Sequence, residues 1–199
     1  MSEAQDKKQS DVITLHNVRL SFANLFEARA GDTPGSKPKY SVASLFPKDH
    51  PDLPALKALM GKVAKDKWGD KAAAIGKSLE AGDKLAVHDG DAKSEYEGYA
   101  GNLFMNASNT RRPLLIDRDA QTILVQADDR PYSGCYANVR VQIWAQDNEF
   151  GKRINASLLG VQFVRDGDRL AGGAVASPDD FAAIPEAETG AADAGGIFN

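Results

Sequence analysis

The segment YANVRVQIWAQD, residues 136 to 147, carries side chains suited to binding flat, negatively charged ligands. Alternate side chains of a β-strand point to opposite sides, so Tyr136, Arg140 and Trp144 share one predicted face, about 13 Å apart at roughly 3.3 Å per residue. Unpaired nucleobases stack on such rings, with about 1–3 kcal/mol per base, while nearby cations hold the phosphates. The other face is a predicted core face, made of Ala137, Val139, Val141, Ile143 and Ala145.

Basic residues accompany aromatic ones at the predicted strand ends, which extends this interpretation to a nucleic-acid groove. The residues expected to contact a single-stranded nucleic acid are Lys37, Lys39, Tyr40, Tyr99, Phe104, Arg111, Arg112, Arg130, Tyr136, Arg140, Trp144 and Lys152. Aromatic strand faces are also commonly buried under a helix or between subunits. A homodimer contact or an assembly role for this face is therefore left open.

An enzyme is the alternative class. Asp117, Asp128 and Asp129 could hold magnesium in a nuclease, although ordinary turn chemistry explains them at least as well. The segment AAAIGKS has Lys71 where a phosphate-binding loop needs its first glycine, which argues against nucleotide hydrolysis. Cys135 is the only cysteine, so no disulfide can form within the chain. No catalytic residue, metal or cofactor is predicted.

Charge is distributed unevenly along the 199 residues. Residues 177–199 contain five acidic residues and no basic one, and removing those five from the 28 leaves 23 against 24 basic residues, a net charge of +1. The body of the chain is therefore compatible with a polyanionic partner. The tail closes on Ile197 and Phe198, which are expected to anchor it on a protein partner.

The chain divides into a flexible arm (1–10), one domain (11–173) and a disordered acidic tail (174–199). The polar N-terminus lacks a secretion signal and no run reaches membrane-spanning length, so the host-cell cytoplasm and no membrane partner are expected. Asp52 and Pro54 precede an apolar stripe that predicts a helix, and a shorter helix is expected to end near Gly82.

About six strands surround the helical segment, including predicted strands at KYSVASLF, YAGNLFMNAS, PLLID and QTILVQAD. The apolar phase of VITLHNVRLSF slips at His16 and Asn17, which predicts a bulge of the kind that bends strands in small barrels. The stretch 83–98 is expected to be a charged, mobile loop. These elements predict a mainly β protein with an inserted helix.

Four stretches together resemble the phage-encoded single-stranded DNA-binding proteins with an OB fold. They are YAGNLFMNASNTRRPLLID, RPYSGCYANVRVQIWAQDN, LLGVQFVRDGDRLAGG and the acidic tail closing on an aromatic. The resemblance implies a five-stranded barrel with an inserted helix, sequence-tolerant binding in a basic and aromatic groove, and a tail that recruits replication proteins such as DNA polymerase. Related proteins close on a terminal phenylalanine, whereas here Asn199 follows Phe198.

Overall fold

A computed structural model describes residues 11–30 and 35–170. The predictions for the N-terminal arm, the acidic tail and its anchor residues Ile197 and Phe198 lie outside the described residues. The described part contains β1 (Val12–Arg29), β2 (Lys39–Pro47), α1 (Leu53–Trp68), α2 (Ala72–Ala81), β3 (Val87–Asp89), β4 (Asn102–Asn109), β5 (Leu114–Ile116), β6 (Tyr136–Asn148) and β7 (Gly151–Arg165).

Five of these strands form a closed barrel. The hydrogen-bonded order is β3-β4-β2-β1-β6-β7-β5, and an additional parallel pairing between β4 and β7 closes the ring. Closure removes the unpaired edges that an open sheet would leave among these five strands. The predicted five-stranded, OB-type barrel with an inserted helical segment is confirmed.

The barrel core follows the alternation predicted for β6. Ala137, Val139, Val141 and Ile143 are all 0% exposed, and they pack in one cluster with the buried residues of α1. Burying a valine or isoleucine side chain contributes about 1.5–3 kcal/mol, so this face stabilises the fold substantially. The opposite face of β6 is thereby turned toward the outside of the barrel.

A β-bulge bends β1 where the sequence predicts one. Leu15 pairs with Val139 and Val18 with Ala137, so three steps on β1 oppose two on β6. Asn17 takes a positive φ of 50°, and its backbone N–H donates to the side-chain oxygen of Asn138 at 2.9 Å. Asparagine tolerates this conformation better than most residues, which explains the choice at this position.

The helix α1 begins as predicted, but Asp52 does not cap it with its side chain. Its carboxylate instead accepts hydrogen bonds from the backbone N–H of His16 at 2.8 Å and from the His16 ring at 2.9 Å. The β1 bulge brings His16 within reach, and this long-range pairing replaces the local cap. The second helix ends at Ala81, followed by Gly82, as expected.

Two stretches differ from their predictions. Residues 121–128 form no strand: Ile123 makes an isolated bridge to Ile116, and the Asp128 carboxylate then takes the N–H of Val125 at 2.7 Å. The side chain thus competes with a strand ladder for the backbone. The stretch 83–98 is not simply a loop, because it contains β3 and a 3₁₀ turn in which the Asp89 carboxylate accepts from the N–H of Asp91.

Candidate nucleic-acid interface

Two connected depressions cross the outer surface of the barrel. The larger, about 470 Å³, extends over β4, β7 and the end of β6, and the smaller, about 270 Å³, extends over β1, β2 and β4. Both are lined by Asn106 and Ser108, so they form one continuous surface, here called the trough. Its length across the strands suits an extended chain better than a compact small molecule.

Small polar side chains make the floor of the trough. Ser41 pairs with Ser108 between β2 and β4, and Ser108 pairs with Ser157 across the parallel β4–β7 junction. These three hydroxyls lie in one row across three neighbouring strands, and all three residues are partly exposed. Asn106 on β4 and Asn155 on β7 lie two residues before Ser108 and Ser157, and both asparagines line the larger depression. The floor therefore offers hydrogen-bonding groups without bulk.

Trp144 borders the larger depression on β6. Its side chain is 41% exposed, and its strand partner on β7 is Asn155. Asn155 in turn donates from its side-chain amide to Gln146 at 3.2 Å, which fixes the polar surface beside the indole. The ring is neither buried in the core nor covered by α1, so it remains able to stack on a planar ligand.

Three cations line the larger depression: Lys39 at the start of β2, Lys84 after α2 and Arg153 on β7. All three residues are exposed, and no described carboxylate pairs with them. Cations without a carboxylate partner in the described part of the chain, beside an exposed indole, make the electrostatics favourable for a polyanion. The sequence interpretation placed only Lys39 of these three in the groove.

Lys152 was predicted to contact phosphates, but strand alternation turns it away from the trough, which its neighbour Arg153 lines. Lys152 points to the other side of β7 and pairs with the Asp147 carboxylate at 2.6 Å. The nearby Lys152 and the Trp68 ring N–H lower the pKa of Asp147, which keeps this carboxylate ionised. Lys152 is therefore a hairpin contact rather than a lining residue.

The remaining predicted residues of β6 lie outside the trough. The guanidinium of Arg165 covers the Tyr136 ring at 3.4 Å from its centroid, so one ring face is occupied. Arg140 is exposed and donates to the Thr14 hydroxyl at 3.1 Å, but it does not line either depression. The predicted row of stacking groups is thus divided, and only its Trp144 end faces the trough.

Tyr99 and Phe104 are buried, which corrects the prediction that their rings stack on bases. They are 2% and 3% exposed and form a small cluster with Leu45 on the outside of the barrel. Phe104 is further stacked on His88 at 5.0 Å. Burial also raises the pKa of the Tyr99 hydroxyl. Tyr99, which belongs to the segment between β3 and β4, and His88 of β3 cover Phe104, and strand alternation alone does not predict these contacts.

Arg130 is also a structural residue, not a free cation. It pairs with the Asp117 carboxylate at 2.7 Å, and its guanidinium lies 5.3 Å from the centre of the Phe163 ring. Tyr40 is half-buried at the barrel rim, and its side chain lies on the same inward face of β2 as Val42. The predicted cations Lys37, Arg111 and Arg112 are exposed, and the last two directly follow Asn109 and Thr110 of the trough lining.

The three aspartates of the nuclease alternative each have another partner. Asp117 pairs with Arg130, Asp128 accepts from Val125, and Asp129 pairs with Arg169. Within residues 11–30 and 35–170, no three histidine, cysteine, aspartate or glutamate side chains are grouped so as to hold a metal ion. The described residues therefore do not assemble the magnesium site that the nuclease alternative requires.

Cys135 is unsuited to nucleophilic chemistry. The residue is 0% exposed, and this burial raises the pKa of its thiol to about 11. A thiol rather than a thiolate is therefore present at neutral pH.

In the described part of the chain, no helix has the length and apolar character needed to cross a bilayer.

Sequence reasoning missed two exposed aromatic rings as well as Lys84. Phe22 lies on β1 at the end of the smaller depression, and Tyr96 contacts it. Phe22 stands two residues after the apolar Leu20 in the sequence, so strand alternation places both side chains on the core face. A second irregularity in β1, between Ser21 and Asn24, turns its ring outward instead. Only the sequence proximity of Tyr96 to Tyr99 could have hinted at an aromatic group here.

A polar trough bordered by cations crosses the closed five-stranded barrel on its β2–β4 side. This architecture defines an OB-type protein. The trough lies at the surface that this fold uses for oligonucleotides and oligosaccharides. The chain belongs to the family described as "Enterobacter phage Enc34, ssDNA-binding protein", whose model matches residues 10–192.

The chain is also similar to individual phage proteins. The chain is 46% identical over 179 residues to protein p50 of Acyrthosiphon pisum secondary endosymbiont phage 1, covering 88% of this chain and 95% of the relative. It is similar in fold to the single-stranded DNA-binding protein of bacteriophage Enc34 in complex with ssDNA, with a TM-score of 0.69, 24% identity and coverage of 82% and 91% of the two chains. A C-terminal truncation of that phage protein matches with a TM-score of 0.63, 28% identity and coverage of 81% and 89%.

Proposed function

We propose that the protein binds single-stranded DNA in the trough, without sequence preference. The observation that carries this proposal is the exposed Trp144 beside a polar floor, with three cations along the same depression that no carboxylate of the described residues pairs with. The family and the phage relatives support it.

In this mechanism a base stacks on the Trp144 indole while the phosphates lie near Lys39, Lys84 and Arg153. Stacking uses the π-face that every base has, so it tolerates any sequence. The floor hydroxyls and amides can donate to phosphates or base edges in several arrangements, which adds affinity without a strict code. Further phosphate contacts are proposed for the exposed cations that flank this path, Lys37, Arg111, Arg112 and Arg140.

Binding of this kind keeps single strands free of hairpins and shields them from nucleases. We place the protein in phage DNA replication and recombination in the host-cell cytoplasm, as a binding protein with no catalytic step. The engagement of Asp117, Asp128 and Asp129 in other contacts supports the last point.

A gel-shift series tests the proposal with labelled oligo-dT, duplex DNA and RNA at several salt concentrations and with magnesium present. We expect oligo-dT to bind more tightly than duplex, to remain uncut, and to lose affinity steeply as salt rises, because bound phosphates release counterions. Equal binding of duplex, cleavage of the strand, or self-assembly of the protein without any affinity for oligo-dT would overturn the proposal.

The acidic tail is proposed to recruit replication proteins such as DNA polymerase through Ile197 and Phe198, and to compete with DNA for the basic trough. Its five carboxylates and the absence of basic residues from 177 to 199 support the competition.

Deletion of residues 177–199 is expected to raise affinity for oligo-dT and to abolish capture of the polymerase. The rise follows from removing a tethered polyanion, and fluorescence anisotropy and a pull-down measure the two effects. A full-length Phe198→Ala variant serves as a control, because it keeps all five carboxylates and should lose only the capture. Unchanged or weaker DNA binding after the deletion would contradict the competition, and retained capture would contradict the recruitment.

A further inference from the structure

Phe22 is exposed at the end of the trough opposite Trp144. Its side chain is 54% exposed and lines the smaller depression together with Ser41 and Asn106. The backbone of Phe22 has a φ of 47°, in the left-handed region that a bulky side chain rarely adopts. An exposed aromatic ring on a strained backbone is a frequent feature of ligand-binding positions.

Neighbouring side chains hold the irregular β1 segment that projects this ring. Ser21 pairs with Ala43 and Asn24 with Ser41, so one extra residue of β1 lies between these pairs. The Asn24 side-chain amide donates to the carbonyl of Phe22 and to the Ser41 hydroxyl, both at 3.2 Å. On the other side, the N–H of Ala23 donates to the Ser133 hydroxyl at 3.0 Å. The outward position of Phe22 is therefore fixed by hydrogen bonds.

Further aromatic residues support the Phe22 ring. Tyr96 lies edge-to-face with it at 5.3 Å and 86°, and Tyr99 lies at 6.4 Å. Tyr96 is itself 44% exposed, whereas Tyr99 is buried and packs on Phe104 at 5.1 Å. A rigid aromatic base thus holds two exposed rings, an arrangement that loses little entropy when a planar ligand stacks on it.

The strand ladder places Phe22 and Trp144 at the same level of the barrel. The row of paired residues beginning at Asn24 crosses Ser41, Ser108 and Ser157 and reaches β6 at Gln142, two residues from Trp144. Four strand spacings separate β1 from β6 along this route, roughly 19 Å at about 4.8 Å each. The aromatic groups thus border the two ends of one polar floor.

We propose that Phe22 and Tyr96 form a second base-stacking site, so that one DNA strand crosses the trough perpendicular to the strands, from Trp144 to Phe22. This inference rests on the proposed function and adds to it a strand path and a second anchor. The serine row lies under the segment of the strand between the two stacked bases.

Phe22→Ala is tested in the full-length protein with an oligo-dT series of increasing length. Oligonucleotides too short to reach both ends should bind the variant and the parent alike at Trp144, with equal quenching of tryptophan fluorescence. Once the oligonucleotide spans the trough, the parent should bind on the order of tenfold or more tightly than the variant, the loss expected for one stacked base. Leu114→Ala is the matched control, because Leu114 is also 54% exposed but lines neither depression.

A second variant separates the ring from the backbone. Phe22→Gly removes the ring while glycine adopts a φ of 47° without strain, so the same length-dependent loss is expected with an unchanged fold. If both Phe22 variants bind every length like the parent while Trp144→Ala is weakened, the second site is wrong and the proposed function stands. If the Trp144 variant also binds every length like the parent, the strand does not lie in the trough, and the binding site given in the proposed function is wrong.

Discussion

Replacing Trp144 by alanine should weaken binding of oligo-dT by about 5- to 150-fold, the equivalent of about 1–3 kcal/mol for one stacked base. The indole borders the larger depression and is 41% exposed, so its removal takes away a ligand surface rather than a core contact. Anisotropy titration measures the affinity. The melting temperature should fall by no more than about 2–4 °C, the shift for roughly 1 kcal/mol in a chain of this size.

Ile123→Ala is a suitable control for this variant, because Ile123 is 67% exposed and lies outside the trough. Its affinity for oligo-dT should match that of the parent. Arg140→Ala should have a smaller, salt-sensitive effect than Trp144→Ala, since Arg140 does not line either depression. A Trp144 variant with parental affinity would mean that the strand does not use this end of the trough.

The second large effect is expected from the cations. Changing Lys39, Lys84 and Arg153 together to glutamine should make the dependence of log affinity on log salt less steep by about 2, since each phosphate contact on a single strand contributes roughly 0.7 to the slope. These residues line one depression and no described carboxylate pairs with them, so no ion pair of the described fold is broken. Affinity at low salt should fall most, and titrations at four or more salt concentrations measure both quantities.

A variant with the same change of charge elsewhere distinguishes local contacts from net charge. Lys57, Lys65 and Lys77 are exposed on α1 and α2, where they line a different cavity of about 870 Å³ and neither depression of the trough. Their joint change to glutamine should leave the salt slope close to that of the parent. Equal slopes for both triple variants would show that the trough cations make no specific phosphate contacts.

Local sequence pattern predicted the features that depend on strand geometry. The period of two in β6 separated a core face from an outer face, and the phase slip at His16 and Asn17 located a bulge. The same alternation placed Trp144 on the outer face of β6, where it is 41% exposed, whereas Lys39 was named as a cation at a strand end. Barrel closure agreed with the family resemblance.

The features that the sequence did not predict depend on contacts between distant segments. Tyr99 and Phe104 are aromatic and near a strand, but the segment between β3 and β4, to which Tyr99 belongs, packs against Phe104, and both rings are buried. The outward turn of Phe22 requires the Asn24 and Ser133 hydrogen bonds, of which the second joins residues 110 positions apart. Neighbouring residues on one strand, such as Lys152 and Arg153, point to opposite faces, so a pair of basic residues does not by itself show which one lines the trough.

The parallel pairing of β4 with β7 involves only Ala107–Ala156 and Ser108–Ser157, and it is the place where the ring of strands is joined most narrowly. The trough floor passes directly over this junction. A ligand lying there would have to leave before the ring could open, so occupancy and resistance to local unfolding must rise together. Bound ligand is therefore expected to stabilise the barrel at the β4–β7 junction, and the ligand-free protein is expected to open there most readily.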